Sequence, residues 1–447
     1  MDLMTVLILA VIAGVALLLF MILVLRLPAF ISLLVSSIFV GILAGLSGQE
    51  IIATIKNGMG SSLGFVATVV GLGALFGGIL ELSGGAKAIA NHLIKVFGEK
   101  RSGMSLGLTG FLVAIPVFFD VAFIILIPVI YALQKKTKKS LLHYAIPLLS
   151  GLAVTHAFIP PTPGPIAVAD ILQANLGWVM LAGLITGIPT MIVSGIIFGK
   201  YIGNKIHIEA PQSETTTELE KALPSFYKIF LIIALPIFLI VMNTMAGEGF
   251  LGITDESILD IIGLVGHPFI ALIIANLVAW YVLGRGESYT SEQLLEVSSK
   301  SMKPAGIIIL STGAGSVFKQ VLVDTKAGAM IAEAVADMGL PVILFAFVAA
   351  ALVRMIQGSA TVAMITAAGL LYPFIQGGAY SGMELAAFVI AIASGASIFS
   401  HVNDSGFWLV KEYLGMSEKQ TFRSWTLMTT ILAFTGFSFS VILFWLF

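Results

Sequence analysis

A few polar residues stand in long apolar surroundings, and their types set the chemistry open to them. Asp120 follows Ile115-Pro-Val-Phe-Phe with no basic residue beside it. A carboxylate taken out of water without a partner is costly and gains from taking up a proton, so Asp120 is a candidate proton carrier. Its plainer reading is a carboxylate capping nearby amides. His156 and His401 can exchange protons near neutral pH, or simply bond loop carbonyls. Arg354 stands three residues before Gln357-Gly-Ser-Ala-Thr361. It can hold a substrate carboxylate through paired hydrogen bonds, pair with a hairpin acid, or snorkel.

Two stretches cannot continue a helix. Ile159-Pro-Pro-Thr-Pro-Gly-Pro165 lacks amide donors and clashes with the preceding turn, and His401-Val-Asn-Asp-Ser-Gly406 is too polar for lipid. Each break is expected to expose amides at the start of a following half-helix, where partial positive charge favours an anion. The residues expected to line the site are Thr162, Gly164, Arg354, Ser359, Thr361, His401, Asn403, Asp404 and Ser405, with Asp120 and His156 in proton coupling. Helix ends suit a carboxylate, and hydroxyl and amide side chains suit a polyol. No metal site or cofactor is expected.

The elements that must carry these residues are membrane spans. Hydrophobic residues make up 58% of the 447-residue chain and charged residues 11%, against roughly a quarter charged in soluble domains. At about 20 residues per span, this length allows on the order of ten to fourteen crossings. A net charge of −1 argues against a nucleic-acid partner. Absent cysteine excludes disulfides and thiolate sites. Leu3 to Leu25 lacks a basic leader and runs too long for a signal peptide, so it reads as a retained first span.

Lys and Arg should mark the cytoplasmic side. Lys135, Lys136, Lys138 and Lys139 form one basic run, and Lys87, Lys95, Lys100 and Arg101 another. Gly103–Leu133 lies between them, too long for one span and too short for two. A re-entrant hairpin fits, and such tips survive at membrane depth only where they line an enclosed cavity. Treating Gly103–Leu133 and Pro341–Tyr372 as hairpins leaves about ten spans and puts nineteen of the 23 Lys and Arg on one side. Glu333, Asp337, the Gln376–Gly382 loop and both termini then fall outside.

The chain also repeats itself. Gly71-Leu-Gly-Ala-Leu-Phe resembles Gly313-Ala-Gly-Ser-Val-Phe, Ile115-Pro-Val-Phe-Phe-Asp120 aligns with Ile356-Gln-Gly-Ser-Ala-Thr361, and Ser150-Gly151 precedes His156 much as Ser394-Gly395 precedes His401. The flanking charges are reversed between copies. The predicted fold is therefore an all-α polytopic membrane protein of two inverted-topology repeats, each with a re-entrant hairpin and a broken transmembrane helix. Secondary transporters are built this way, with their sites at the repeat interface. The expected division is 1–60 N-terminal spans, 61–202 first repeat, 203–303 linker and two connecting spans, and 304–447 second repeat.

Ile115-Pro-Val-Phe-Phe-Asp120, His156-Ala-Phe-Ile-Pro-Pro-Thr-Pro-Gly-Pro165, Gly358-Ser-Ala-Thr-Val-Ala-Met364, Phe318-Lys-Gln-Val-Leu-Val-Asp324 and Ser400-His-Val-Asn-Asp-Ser-Gly-Phe-Trp408 together resemble the gluconate permeases of the ion-transporter superfamily. The resemblance spans essentially the whole chain. It implies a bacterial inner-membrane symporter of a sugar acid with protons, moving by an elevator-like mechanism as a homodimer. Two positions depart from that family's pattern: Asp120 where Glu is common, and Thr162 where His is expected. Both touch the site, so they bear on which sugar acid is carried. The alternatives are a sodium-coupled carboxylate transporter, for which Ser359 and Thr361 supply oxygens, or an ion antiporter of the same fold. Enzymatic motifs are missing: there is no Walker motif, no His-Glu-x-x-His and no Gly-x-Ser-x-Gly.

Overall fold

The computed structural model describes residues 3–98, 101–211, 223–284, 289–327, 341–376, 378–402 and 404–447. Asn403, Glu333, Asp337 and Lys100, all named above, lie outside the described residues. All regular structure among the described residues is helical.

Helices α1 (Leu3–Leu23) and α2 (Ala29–Leu43) pack as a pair, with the Ser36 hydroxyl donating to the Gly14 carbonyl. Helix α3 (Gly48–Leu82) and, much later, α13 (Ser291–Asp324) are the longest elements, at 35 and 34 residues. Both begin earlier than their apolar runs because a capping box starts each one, Ser47 with Glu50 and Thr290 with Gln293. At 1.5 Å per residue each is ~50 Å long, well beyond a hydrocarbon core of ~30 Å. The two run antiparallel against each other. Thr54 Oγ1 donates to the Asp324 carboxylate at 2.6 Å at one end, and Gly78 lies against Ser301 at the other.

After α4 (Gly85–Phe97) come four helices in two interrupted pairs. Helices α5 (Ser102–Val113) and α6 (Phe119–Thr137) are separated by residues 114–118, and α7 (Leu142–Phe158) and α8 (Pro163–Leu172) by 159–162. Helix α9 (Leu176–Lys205) closes this half and contains a π-helical stretch at Ile192–Ile197. Three connecting helices follow: α10 (Phe226–Gly247), then α11 (Glu256–Val265) and α12 (Pro268–Gly284), bent by 60° relative to each other.

The remaining helices follow α13. Helices α14 (Val342–Gln357) and α15 (Ala360–Ile375) turn at Gly358–Ser359, where Gly358 has φ +88, a conformation that glycine adopts without strain. Helices α16 (Gly382–Ser397) and α17 (Ser405–Leu414) flank residues 398–404, and α18 (Glu418–Leu446) ends the chain with its own π-helical stretch at Phe422–Thr426.

Six helices among the described residues are long and apolar enough to cross a membrane, or seven if the bent α11–α12 pair counts as one span. Leu142–Leu172 counts as one such unit despite its break. The remaining apolar helices, such as Ala29–Leu43 and Gly382–Ser397, run 10–17 residues. Length and composition alone thus mark fewer spans than the ten expected, because several apolar runs are divided by turns.

Two glycines do the same job in the two halves. Helix α5 packs on α7 and α14 on α16 with almost no side chain between them. A Cβ at Gly151 would stand 2.2 Å from the Gly107 carbonyl oxygen, and one at Gly395 would stand 2.2 Å from that of Phe347. Such close backbone approach is how apolar helices associate where no hydrophobic effect drives them together. Replacing Gly395 by Val is expected to force α14 and α16 apart and cost more than the ~1–3 kcal/mol of ordinary overpacking. Thermal unfolding in detergent should show a clear loss. An unchanged midpoint would mean that this contact contributes nothing.

The buried side chains fall into separate clusters. One large core joins α4–α9 with α14–α18 and parts of α3, α10 and α12. A separate one joins α1, α2 and α13. Between the two, α1, α13, α14 and α15 enclose a wholly apolar crevice of about 280 Å³, lined by Val11, Leu322, Phe345 and Phe374 among others.

Candidate functional site

The polar residues singled out in the sequence sit at four non-helical points, and contacts link those points to one another. The break after α16 is the most tightly held. Asp404 is the N-cap of α17 and accepts the Gly406 amide at 3.1 Å. The Arg354 guanidinium, buried at the end of α14, donates to the same carboxylate and, through its other terminal nitrogen, to the Gly358 carbonyl. Ser400 donates to Asp404 and accepts from the Trp425 indole at 2.6 Å. Thr426 donates to the Ser400 carbonyl at 2.5 Å, and the Ser400 amide donates to Thr429 at 3.2 Å. The turn is therefore fixed on both sides, by α14 and by the π-helical stretch of α18, with Phe399 held at φ +48. His401 Nε2 lies 2.8 Å from the Met355 carbonyl oxygen.

Arg354 is thus an internal tie between the α14–α15 turn and the α16–α17 break. Its Nε remains buried without a hydrogen-bond partner. At the turn itself the Ser359 amide donates to Gln357 Oε1 at 2.9 Å, and Ser359 Oγ accepts the Val362 amide at 3.3 Å as the N-cap of α15. Thr361 is half-buried in the first turn of α15, and Ser405 opens α17.

Asp120 lies in the first turn of α6, immediately after the 114–118 break. The start of α6 comes close to the second half as well as its own: α6 packs against α17, the Phe119 ring is 5.6 Å from Trp425, and Asp404 lies within electrostatic range of Asp120. Its side chain is open to a water-sized contact although protein surrounds it on most sides. Two carboxylates and one guanidinium therefore share one neighbourhood.

The break after α7 has a different character. Thr162 is buried and its hydroxyl donates to the Ile159 carbonyl at 2.6 Å; the Pro160–Pro161 peptide is cis. Gly164 faces α15, where a Cβ would stand 2.7 Å from Met364 Sδ. His156 ends α7 with Nδ1 buried and without a partner, and the Phe118 ring meets its edge at 6.4 Å. A small cavity of about 10 Å³, enough for one water, lies between Gly73, residues 115–118 and Pro161–Pro163. It adjoins a crevice of about 220 Å³ that runs past Gly77, Glu81 and Lys300.

The points are linked through their neighbours: residues 115–118 and Pro161–Pro163 line one cavity, Phe119 meets Trp425 beside the α16–α17 break, and α8 packs on α15. The helix ends differ from expectation. Prolines at 163 and 165 leave Gly164 as the first free amide of α8, since Pro has no N–H. At α17 the Asp404 carboxylate already occupies the place of an anion. Sequence reasoning passed over Trp425 and Gln357. Trp425 lies in an apolar run with nothing local to distinguish it, whereas Ser400 stands at the edge of a break already marked. Lys319 sits 4.0 Å above the Tyr372 ring, with Asp170 within electrostatic range, at the α13–α15–α8 contact. No group of three or more potential metal ligands occurs among the described residues.

Comparison with known proteins adds an independent line. The sequence pattern of the GntP family permease matches residues 5–446. The "Low-affinity gluconate transporter" of Escherichia coli K12 is 41% identical over 435 residues, covering 96% of each chain. The "Gluconate permease" of Pseudomonas aeruginosa is 37% identical over 420 residues, covering 93% of this chain and 92% of that one. Among solved structures, the Alcanivorax borkumensis YdaH transporter, described as having an unusual topology, superposes with a TM-score of 0.63 at 15% identity over 89% of both chains. At that identity the likeness speaks for the fold alone.

Proposed function

Because the chain belongs to the GntP family of permeases, we propose that it imports gluconate or a closely related sugar acid by proton symport. Its relatives are transporters, and with several helices able to span a bilayer it is a multi-pass membrane protein. The observation that supports the coupling is the nearness of Asp120 to the Arg354–Asp404 pair, within electrostatic range of Asp404.

Charge arithmetic supplies the reason. An empty site holds one guanidinium and two carboxylates, a net single negative charge that repels an incoming anion. Taking up one proton neutralises the site, and binding a monovalent acid then restores its original charge. In a low-dielectric interior an unpaired charge is far more costly than in water, so anion and proton enter together. Arg354, released in part from Asp404 when a carboxylate there is protonated, would turn to the substrate carboxylate. Thr162, Ser359, Thr361, Asn403 and Ser405 would face its hydroxyls, His401 would border them, and Gly164 would offer its amide. His156, with its unpartnered nitrogen beside the 114–118 break, would pass the proton.

The reading predicts one proton per monovalent acid and no net charge moved. Purified protein in liposomes, without sodium, should accumulate radiolabelled gluconate under an inward pH gradient and not under a potassium diffusion potential alone. Accumulation driven only by a sodium gradient would establish the sodium-coupled alternative instead, and the absence of any driven uptake would remove both.

We further propose two inverted repeats with re-entrant hairpins at 114–118 and 358–359. Support comes from the equivalent glycines 151 and 395 and from the antiparallel α3–α13 pair. The separate core of α1, α2 and α13 and the apolar crevice beside it support an elevator motion, in which a bundle slides along a smooth wall. The homodimer and the bacterial inner-membrane location follow from the resemblance to gluconate permeases. Both termini are placed in the periplasm by the Lys and Arg distribution. Single cysteines at Ala379 and Lys135 test this in intact cells: the first should react with an impermeant maleimide and the second should not. Reversed labelling would overturn the orientation.

A further inference from the structure

A large polar cleft lies away from the four breaks. It measures about 690 Å³ and opens between the start of α5, the α6–α7 link and the last turns of α9. Arg101, Lys139 and Lys200 line it together with His143, Asn204 and His207. None of the three permanent cations is in an ion pair with a described residue, and no Asp or Glu among the described residues lines the cleft. His207 alone has an acidic neighbour, Glu209 at 3.8 Å.

The cleft is a built feature rather than a chance meeting of surface lysines. Lys200, Gly203 and Asn204 recur at helical spacing and so share one face of the α9 end, with His207 just beyond its last residue. Gly203 lets that face close on α7, because a Cβ there would stand 2.0 Å from His143 Nδ1. That nitrogen is buried and has no hydrogen-bond partner. The chain leaving α9 is pinned to the α6–α7 link: Leu141 N donates to the Ile208 carbonyl at 2.8 Å, and Ser140 Oγ donates to the Ile206 carbonyl at 2.7 Å. The Ile208 amide returns a bond to Ser140 Oγ at 3.1 Å. Opposite, α5 begins at Ser102 with no side-chain cap on its amides, adding partial positive charge.

Cations held apart around a cleft, with no Asp or Glu among the described residues lining it, repel one another, so an anion of matching size stabilises the arrangement. The apolar side chains Met104, Ile197 and Tyr201, 38%, 59% and 58% exposed, flank the same end of the bundle. We propose that this cleft binds a phosphate group, with its apolar border favouring the headgroup of an anionic phospholipid at the membrane face. The site is distinct from the transport site and does not depend on which acid is carried.

Native mass spectrometry of the full-length protein in detergent, with equal phosphatidylglycerol and phosphatidylcholine added, tests the lipid source. Thermal unfolding in phosphatidylcholine nanodiscs with inorganic phosphate tests the soluble source. The wild type should retain phosphatidylglycerol about tenfold or more over phosphatidylcholine, and Lys139→Gln/Lys200→Gln should lose that preference, at about one tenfold step for two lost cations. Ser102→Asp should also lose it. That substitution places a carboxylate at a helix start, where the dipole favours it, and an unchanged thermal midpoint of the variant separates lost binding from misfolding. Lys95→Gln/Lys135→Gln removes equal charge outside the cleft and should leave the preference intact. Saturable stabilisation by inorganic phosphate without lipid preference, abolished by the same cleft variants, would assign a soluble phosphate compound. Equal behaviour of cleft and control variants in both arms would overturn the proposal.

Discussion

Asp120→Asn is expected to abolish accumulation of the acid against its gradient while leaving exchange of labelled for unlabelled acid across the membrane. With one proton per anion, a pH difference of two units supports about hundredfold accumulation, each unit being one tenfold step. The variant should fall to an inside-to-outside ratio of about one. Asn keeps the shape of Asp but takes up no proton, so the site is locked with one carboxylate and one guanidinium. Such a site is already neutral and admits the anion without a coupled proton. Exchange needs only the loaded carrier to cross in both directions, and that step remains. The competing role of Asp120, a cap on the amides of the first α6 turn, predicts the reverse. Asn is as good an N-terminal capping residue as Asp, so concentrative uptake would persist, and a preserved hundredfold ratio in the Asn variant would assign Asp120 to structure.

What the sequence made legible was local. Prolines 160, 161, 163 and 165 and the polar run from His401 to Gly406 interrupt apolar stretches, and the structure interrupts its helices there. The starts of α3 and α13 were readable too, because Ser47 and Glu50, like Thr290 and Gln293, have capping-box spacing. Counting apolar residues hides that signal, since the first turns of both helices are polar. An ion pair for Arg354 was an open reading with a hairpin acid as the partner, whereas Asp404 belongs to the α16–α17 break, 50 positions away. No spacing rule reaches that far. The clamp of Trp425 and Thr426 on Ser400 was invisible for the same reason, and a π-helical stretch has no residue pattern that announces it. The occupation of the α17 N-terminus by Asp404 follows from the same long-range geometry: a capping Asp is ordinary, and only the approach of Arg354 makes it a buried ion pair.

That pair yields the second large effect. Arg354→Gln alone should leave Asp404 charged, nearly enclosed and without its partner, a change that costs about 3–5 kcal/mol in comparable buried pairs. Little folded protein is expected. In Arg354→Gln/Asp404→Asn both charges are gone, and Gln and Asn can still bond the Gly358 carbonyl and the Gly406 amide. Most of the lost stability should return, so the double variant can be purified and its thermal midpoint compared with that of each single variant. Transport by this variant then separates two roles that stability cannot. If Arg354 serves only to tie the α14–α15 turn to the α16–α17 break, the restored fold should exchange the acid with unchanged half-saturation. If Arg354 also receives the substrate carboxylate, a charged hydrogen bond worth about 1.5–3 kcal/mol is missing, and half-saturation should rise by roughly ten- to hundredfold. Wild-type half-saturation in a well-folded double variant would move the carboxylate-binding site away from Arg354. Gly164 would then be the principal donor left to the anion, since the prolines on either side of it have no N–H to offer.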